Sequence, residues 1–280
     1  MATFPEIPIA EADPATRTIY RKLMTAAGSG SPALIFRHMA TYPGLLDWVW
    51  VTVGEDLEAG WPSKAVSLIV ENQPRVLLPA FGEGEMAANG IDAAARESIG
   101  HMLTSYNRMN PVNLIAVGAA RALIAGEDLP PPPFPFSEHP APAPAPPPDL
   151  PPPLPVSAID DRLNARIADI CRTIPKVEIG GSDVDVTPTM YRHFAIWPDF
   201  MHSVADRLDL AMEEIDTETL GFAAACRPLI AQLLQKAKAR NSGPAPLDDP
   251  APLLNVLDTF AYVIPHMVVV GEALERALDK

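Results

Sequence analysis

A short polar segment ending at Pro111 carries the residues best suited to chemistry in this 280-residue chain. Asn110 stands directly before this proline, and because proline commonly opens a helix, the Asn110 amide is a natural helix cap. The same amide could instead hold a water molecule in a cleft, with Tyr106 and Asn107 one turn away. In the second half of the chain, Ile264 precedes the corresponding proline. This asymmetry makes Asn110 the first candidate for a functional residue.

Metal and cofactor chemistry find no support in the sequence. The six histidines form no HExxH pair, and neither Cys171 nor Cys226 joins them at metal-ligand spacing. There is no GxSxG motif, and there is no glycine-rich loop of the kind that cradles nucleotide phosphates. We therefore expect no metal site and no cofactor. We interpret the two cysteines as buried thiols in a reducing compartment.

The charge of the chain excludes some partners. The formal net charge is −14, which disfavours nucleic acid because phosphate binding needs clustered Lys and Arg. It also disfavours an anionic membrane surface, and no run of about 18 apolar residues marks a membrane span. Residues 1–13 contain acids and prolines without an apolar core, which is unlike a signal peptide. The composition predicts a cytoplasmic protein that binds neither nucleic acid nor membranes.

The chain repeats itself on either side of a proline-rich segment. The sequence RHMATYPGL at residues 37–45 matches RHFAIWPDF at residues 192–200, with four identities at an offset of 155. Two further pairs follow at offsets of 154 and 153: Pro111 with Pro265, and Gly118 with Gly271. A nearly constant offset over separate blocks indicates a duplicated unit, which we place at residues 1–127 and 157–280. We expect the two units to pack about a pseudo-twofold axis, with a cleft between them.

Two pairs of basic residues are kept in both copies. They are Arg37 with Arg192 and His38 with His193. A residue kept in both copies serves a shared fold more readily than an asymmetric reaction. We therefore interpret the histidines as hydrogen-bonded groups near helix ends and the arginines as partners in ion pairs. The alternatives are a pair of bases across the axis and an anion site.

The elements that must position these residues are predicted to be helices, which makes the fold class all-α. Apolar residues recur every three to four positions, as on one face of a helix, and no convincing alternating strand is present. Pro43 and Pro198 each stand near a predicted helix start, and Pro265 is expected to kink or split its helix. The predicted helices include residues 14–27, 93–106, 111–125, 158–171, 219–239 and 252–278.

A proline-rich linker at residues 128–156 joins the two repeats. It holds 15 prolines between Pro130 and Pro155, and proline lacks the N–H that helices and central strands need. An extended polyproline segment of this length could span several tens of ångströms at about 3.1 Å per residue. We interpret it as a strap between the modules, and docking to an aromatic-lined groove of a partner is the alternative.

Three blocks of this sequence resemble the group I 2-haloacid dehalogenases, which hydrolyse both D- and L-2-haloacids without a metal. The blocks are RHMATYPGLL at residues 37–46, YNRMNPVNL at residues 106–114 and FAIWP at residues 194–198. The resemblance implies a helical fold of two repeats with the site between them, and a homodimer. It also implies a mechanism, in which an aspartate activates a water that attacks the halogen-bearing carbon directly while an asparagine positions that water.

The asparagine of this mechanism corresponds to Asn110, but the aspartate is unmatched. Counted from the shared FAIWP block, its position falls on Met190, and methionine cannot accept a proton at neutral pH. Asp183 and Asp185 lie a few residues upstream, and either is a candidate for a displaced base. His266, beside Pro265, is a third. Solvated loop acids and a packed histidine are the competing interpretations of these three residues.

Two functions are therefore the main hypotheses, and a third is a further alternative. The first is a hydrolase of 2-haloacids, in which Asn110 orients water and Asp185 or Asp183 acts as the base. The second is a catalytically inactive or diverged relative that binds a small carboxylic acid or an apolar ligand in the cleft, close to Tyr106, Asn107, Met190 and His266. The third is an interaction protein whose proline-rich strap docks a partner.

Overall fold

The structure is a computed structural model that describes residues 4–142, 144–145, 150–240 and 243–278. Helices dominate these residues, so the prediction of an all-α fold is confirmed. Eleven α-helices occur among the described residues: α1 Pro14–Ala27, α2 Leu34–Met39, α3 Leu45–Glu58, α4 Trp61–Asn72, α5 Glu83–Ala88, α6 Ala93–Ile124, α7 Asp161–Ile170, α8 Thr189–Phe194, α9 Pro198–Leu210, α10 Met212–Arg240 and α11 Ala251–Leu278.

Local chemistry explains several of the helix ends. Asp13 caps α1 by accepting a hydrogen bond from the Thr16 backbone N–H at 2.8 Å, and Asp92 caps α6 in the same way. Gly28 ends α1 in the left-handed conformation, with φ at 63°, which glycine adopts without steric cost. Short polar or glycine residues therefore set these boundaries, and the predicted bounds of α1 are confirmed.

The long helices α6, α10 and α11 pack against one another at the centre of the molecule. Gly271 on α11 lies against the Asn107 side chain of α6, where a Cβ atom would collide with the Asn107 amide oxygen. The glycine thus permits the close approach of the two helices. Helix α11 is long and apolar enough to cross a membrane, with a mean hydropathy of 1.6, but 72% of that window is buried inside the fold. This burial favours a core helix.

One predicted helix break is wrong. The sequence predicts separate helices before and after Pro111, but α6 continues through it as one helix of 32 residues. Helix α11 also runs through Pro265 without being split, so a kink at this proline is the alternative that stays a prediction. A proline in a helix interior costs about 3 kcal/mol or more through one lost backbone hydrogen bond and a steric clash. Burial of apolar residues on both sides of each proline, against the neighbouring long helices, offsets this loss.

A short β-hairpin was also missed. Strands β1 Val177–Ile179 and β2 Ser182–Val184 pair in antiparallel fashion. Gly180 and Gly181 connect them with φ angles of 60° and 78°, as a two-residue turn of this hand requires. Strands of three residues are too short to show an alternating pattern, so no periodic signal marks them. The hairpin carries Asp183.

The described part of the proline-rich segment contains no α-helix or strand, ends where a 3₁₀ turn at Val156–Ala158 begins, and is bound to the helices. Gln232 of α10 accepts a hydrogen bond from the Phe136 N–H at 2.7 Å and donates to the Phe136 carbonyl at 2.9 Å. Arg108 of α6 donates to the Ala145 carbonyl at 2.8 Å. Contacts of this kind favour the interpretation of the segment as an internal strap.

Several helices of the two predicted repeats share features of length and sequence. Helices α2 and α8 each contain six residues, and each carries its Arg-His pair in the last turn. Helices α6 and α11 each contain one internal proline. The duplicated unit, with its bounds at residues 1–127 and 157–280, stays a prediction, and superposition of the two halves is its test.

Candidate functional site

One cavity is lined by three of the residues that the sequence singled out, Tyr106, Asn110 and Met190. It encloses about 500 Å³, with its open mouth included, and lies between the starts of α2 and α8 and the middle turns of α6 and α11. Both halves of the chain therefore contribute to its wall. The lining residues are Ser31, Pro32, Ala33, Leu34, Ile35, Tyr106, Met109, Asn110, Asn113, Pro188, Thr189, Met190, Phe260, Val263, Ile264 and Met267.

The two long helices give the cavity one polar and one apolar wall. Each contributes four residues, and these pair at a constant offset of 154 positions. The pairs are Tyr106 with Phe260, Met109 with Val263, Asn110 with Ile264 and Asn113 with Met267. The members from α6 include three polar side chains, whereas all four from α11 are apolar. A ligand that fits this cavity must therefore bury an apolar part on one side and place its polar group on the other.

Asn110 is the clearest hydrogen-bonding group of the polar wall. Its side chain is 8% exposed, and its Nδ2 atom has no hydrogen-bond partner among the described residues. The predicted role as a helix cap is wrong because Asn110 lies inside α6. A buried amide N–H without a partner is unfavourable in a folded protein. A bound ligand or water in the cavity would satisfy it.

Tyr106 lines the cavity and is held by His193 behind it. Its hydroxyl lies 2.6 Å from Nδ1 of His193, and Nε2 of His193 lies 2.8 Å from the carbonyl of Pro151. Because a carbonyl only accepts, Nε2 carries the proton, and Nδ1 accepts the hydroxyl proton of Tyr106. Burial lowers the pKa of His193 to about 4, so the ring is neutral at pH 7. Burial also raises the pKa of Tyr106, which therefore stays protonated.

The Arg-His pairs found in both predicted repeats take the structural roles predicted for them. Besides the His193 contacts, Nδ1 of His38 lies 2.8 Å from the carbonyl of Pro5. Arg37 and Arg192 form ion pairs with the same carboxylate, that of Glu6, at 2.6 Å and 3.2 Å. The prediction of ion pairing for the two arginines is confirmed.

Met190 lies in the cavity wall, but the two candidate carboxylates do not. Asp183 lies in β2 with its side chain exposed. Asp185 follows the hairpin, is also exposed, and pairs with Lys176 at 3.3 Å. No Asp, Glu or His occurs among the described residues that line the cavity. The structure therefore brings Asn110, Tyr106 and Met190 together and leaves Asp183 and Asp185 at the surface.

Asn107 and His266 lie next to the cavity without lining it. The Asn107 side chain turns toward α11 and donates from Nδ2 to Glu275 at 2.8 Å. His266 is fully buried and packs beside the ring of Tyr262 at a centroid distance of 5.8 Å. Neither ring nitrogen of His266 has a partner among the described residues. Burial lowers its pKa to about 4, so the ring is neutral at pH 7.

We expect His266→Leu to leave stability at pH 7 unchanged or slightly higher, and to flatten the loss of stability in acid. An unpartnered buried imidazole gains nothing from its polar atoms at neutral pH. Because its pKa is lower in the folded protein than in the unfolded chain, the unfolded chain binds more protons as the pH falls from 6.5 to 4. Stability is lost over that window, by roughly 3 kcal/mol for this group.

Urea unfolding of both proteins between pH 4 and pH 7 measures this difference. The control is His139→Leu, which changes an exposed histidine of the proline-rich segment and should keep the acid dependence of the wild type. An unchanged pH dependence in His266→Leu would contradict the burial of a neutral ring.

Several lining residues were not found from the sequence. Asn113 lies one turn after Asn110 on the same helix, so its spacing was a usable signal. Thr189 begins α8, and Ser31 precedes α2. Their place in the wall depends on how the short helices α2 and α8 dock against the long ones, and no local pattern encodes this.

Comparison with known proteins identifies the fold. No protein-family model matches the chain, and no curated protein matches it. Several solved structures do match, and three of them have 15%, 16% and 18% sequence identity and TM-scores of 0.76, 0.74 and 0.73. They are a D-2-haloacid dehalogenase mutant in complex with D-2-CPA, a D-2-haloacid dehalogenase in complex with L-LA, and a further D-2-haloacid dehalogenase mutant.

The likeness extends over whole chains. Each match covers 99% of this chain, and the matched shares of the other chains are 96%, 97% and 97%. At these identities the likeness shows the fold, and the fold is that of the D-2-haloacid dehalogenases.

Proposed function

We propose that this protein binds a small carboxylic acid in the cavity between α6 and α11 and does not hydrolyse it by water activation. One observation carries this proposal. The cavity offers an unpartnered amide donor, Asn110, opposite an apolar wall, yet Met190 stands where the resemblance places the catalytic aspartate. Such a wall suits the carboxylate and the short apolar body of a 2-substituted acid, and it supplies no general base.

The cavity receives lining residues from both halves of the chain, and this supports the proposal that a duplicated unit surrounds the ligand. The lining residues of α6 and α11 are related by the same offset as the two internal prolines. The cavity is thus where an axis between two copies would pass. Placement among the group I enzymes in particular rests on Asn110 and the three matching sequence blocks. A homodimer and a cytoplasmic location stay predictions.

Hydrolysis of 2-haloacids is the second candidate function. It is favoured by the shared fold of the D-2-haloacid dehalogenases, and by the location of Asn110 in the cavity. It needs Asp183 or Asp185 to leave the surface and reach the cavity, and in Asp185 this would break the pair with Lys176. An assay of halide release from D- and L-2-chloropropionate separates the two functions, because only hydrolysis frees the halide.

Asn110→Leu is expected to weaken binding of 2-chloropropionate by roughly ten- to a hundredfold, since a hydrogen bond to a charged group contributes about 1.5–3 kcal/mol. The same change should leave the free energy of unfolding unchanged or slightly higher, because it removes a buried donor without a partner. Isothermal titration calorimetry gives the affinity, and urea unfolding gives the stability.

The matched control is Asn72→Leu, which makes the same chemical change at an exposed position of α4 and should leave binding unaltered. Failure of both enantiomers to bind the wild-type protein at millimolar concentration would refute the proposed function. Equal affinities of Asn110→Leu and wild type would refute the role of Asn110.

A further inference from the structure

The cavity has a buried cluster of charges directly behind its wall. Arg37 and Arg192, one from each half of the chain, converge on the single carboxylate of Glu6. The exposed fractions of the three side chains are 7%, 13% and 18%. Among the described residues, no other carboxylate lies within 4.0 Å of either guanidinium. Two largely buried cations thus share one anion.

Arg37 connects this cluster to the cavity through two lining residues. Its Nη1 donates to the carbonyl of Pro32 at 3.3 Å, and its Nη2 donates to Oγ1 of Thr189 at 3.3 Å. Because the guanidinium donates to Thr189, the hydroxyl proton of Thr189 remains free for a ligand. The guanidinium therefore lies one residue behind the cavity surface, and it is oriented by the groups that form this surface.

The electrostatic effect of the cluster reaches other parts of the wall as well. Both guanidiniums lower the pKa of Tyr106, against the larger opposing effect of burial. Charges in a partly buried setting interact several times more strongly than in bulk water, and salt screens them less. The net charge of the two arginines and Glu6 therefore affects the energy of any charged group inside the cavity.

We propose that Glu6 sets the charge preference of the cavity. Its carboxylate offsets one of the two guanidinium charges, and it thereby limits how strongly the cavity prefers an anion to a neutral molecule of the same shape. This inference rests on the proposed function, in which the cavity is the ligand site. Glu6 and Arg192 act through Arg37 and Thr189 without touching the ligand, so both are positioning residues.

A pair of ligands that differ only in charge tests the proposal. We would measure the dissociation constants of 2-chloropropionate and of the neutral 2-chloropropionamide by calorimetry, and compare their ratio between variants. Glu6→Gln keeps the shape of the side chain and removes its charge, so the preference for the acid should rise roughly tenfold. Arg192→Gln leaves one arginine paired with Glu6, so the preference should fall roughly tenfold.

The control is Glu11→Gln, which removes the same charge from an exposed position of the same N-terminal segment and should leave the ratio unchanged. A purely structural role of Glu6 would change the affinities for both ligands alike, which also leaves the ratio unchanged. If Glu6→Gln does not fold, Arg192→Gln still tests the inference in the opposite direction.

The outcomes separate this inference from the proposed function. If the wild-type protein binds both ligands and the ratio of their dissociation constants is the same in Arg192→Gln and in any folded Glu6→Gln, the role of Glu6 is overturned. The proposed function is unaffected by that result. Failure of both ligands to bind the wild-type protein overturns the two together. Opposite shifts in the two variants support the proposal.

Discussion

Met190→Asp is expected to produce halide release from 2-chloropropionate, and the wild-type protein is expected to release none above the buffer rate. The resemblance to the group I 2-haloacid dehalogenases places their aspartate at this position, and the structure places Met190 in the same cavity wall as Asn110. An aspartate there would face a water held by the Asn110 amide. General-base assistance of this kind is typically worth about 10²–10⁴ in rate.

The surroundings of Met190 allow such a carboxylate to ionise. The Met190 side chain is 1% exposed, so burial alone would raise the pKa of an aspartate placed there. The Arg37 guanidinium opposes this effect, because it donates to the neighbouring Thr189 at 3.3 Å. The new charge should also destabilise the fold by a few kcal/mol, since a buried carboxylate is poorly solvated.

The control for this experiment is Met190→Asn, which has nearly the same shape as the aspartate but cannot accept a proton. Initial rates of halide release from both enantiomers at pH 7–9 give the comparison, with circular dichroism as the check of folding. A folded Met190→Asp without halide release would show that the missing base does not by itself account for inactivity. Halide release by the wild-type protein would favour the second candidate function.

Asp56→Ala is expected to destabilise the protein by about 3–5 kcal/mol, the usual effect of removing one partner of a buried ion pair. The Asp56 side chain is 4% exposed and accepts hydrogen bonds from Trp61 at 2.8 Å and from Arg240. Lys236 lies 3.5 Å away. The carboxylate thus ties the end of α3 and the start of α4 to α10, and its loss leaves an indole N–H and two cations without their shared partner.

The neighbouring Glu55 provides a matched control. It also pairs with Arg240, at 3.1 Å, but its side chain is 81% exposed, so Glu55→Ala should change stability by less than about 1 kcal/mol. Thermal unfolding should show a loss of about 10 °C for Asp56→Ala. A change in Asp56→Ala as small as that in Glu55→Ala would contradict the buried network.

Sequence reasoning was most successful where a local signal was strong. The bounds of α1 follow from its capping residues, and Asn110 was singled out by its asymmetry with Ile264. It failed at Pro111, where a local helix-breaking rule was overridden by burial of the flanking turns between long helices. It also missed the β-hairpin, because strands of three residues have no readable period.

The candidate site likewise contains residues that the sequence predicts and residues that it does not. Asn110, Tyr106 and Met190 were named from the sequence and line the cavity, whereas Asp183 and Asp185 are near in sequence but exposed at the surface. Glu6 was not singled out at all. It lies 31 residues from Arg37 and 186 from Arg192 in the chain, and no short-range pattern connects residues at such separations.

The amino-acid sequence by itself determined the helical class and the polar character of one segment of α6. These depend on interactions between residues a few positions apart. The composition of the cavity was decided only by the tertiary structure: which wall is polar, which carboxylates are absent from it, and which charges lie behind it. The physical reason is that the cavity lies where four helices contact one another. The arrangement of these helices depends on the packing of buried side chains from distant parts of the chain.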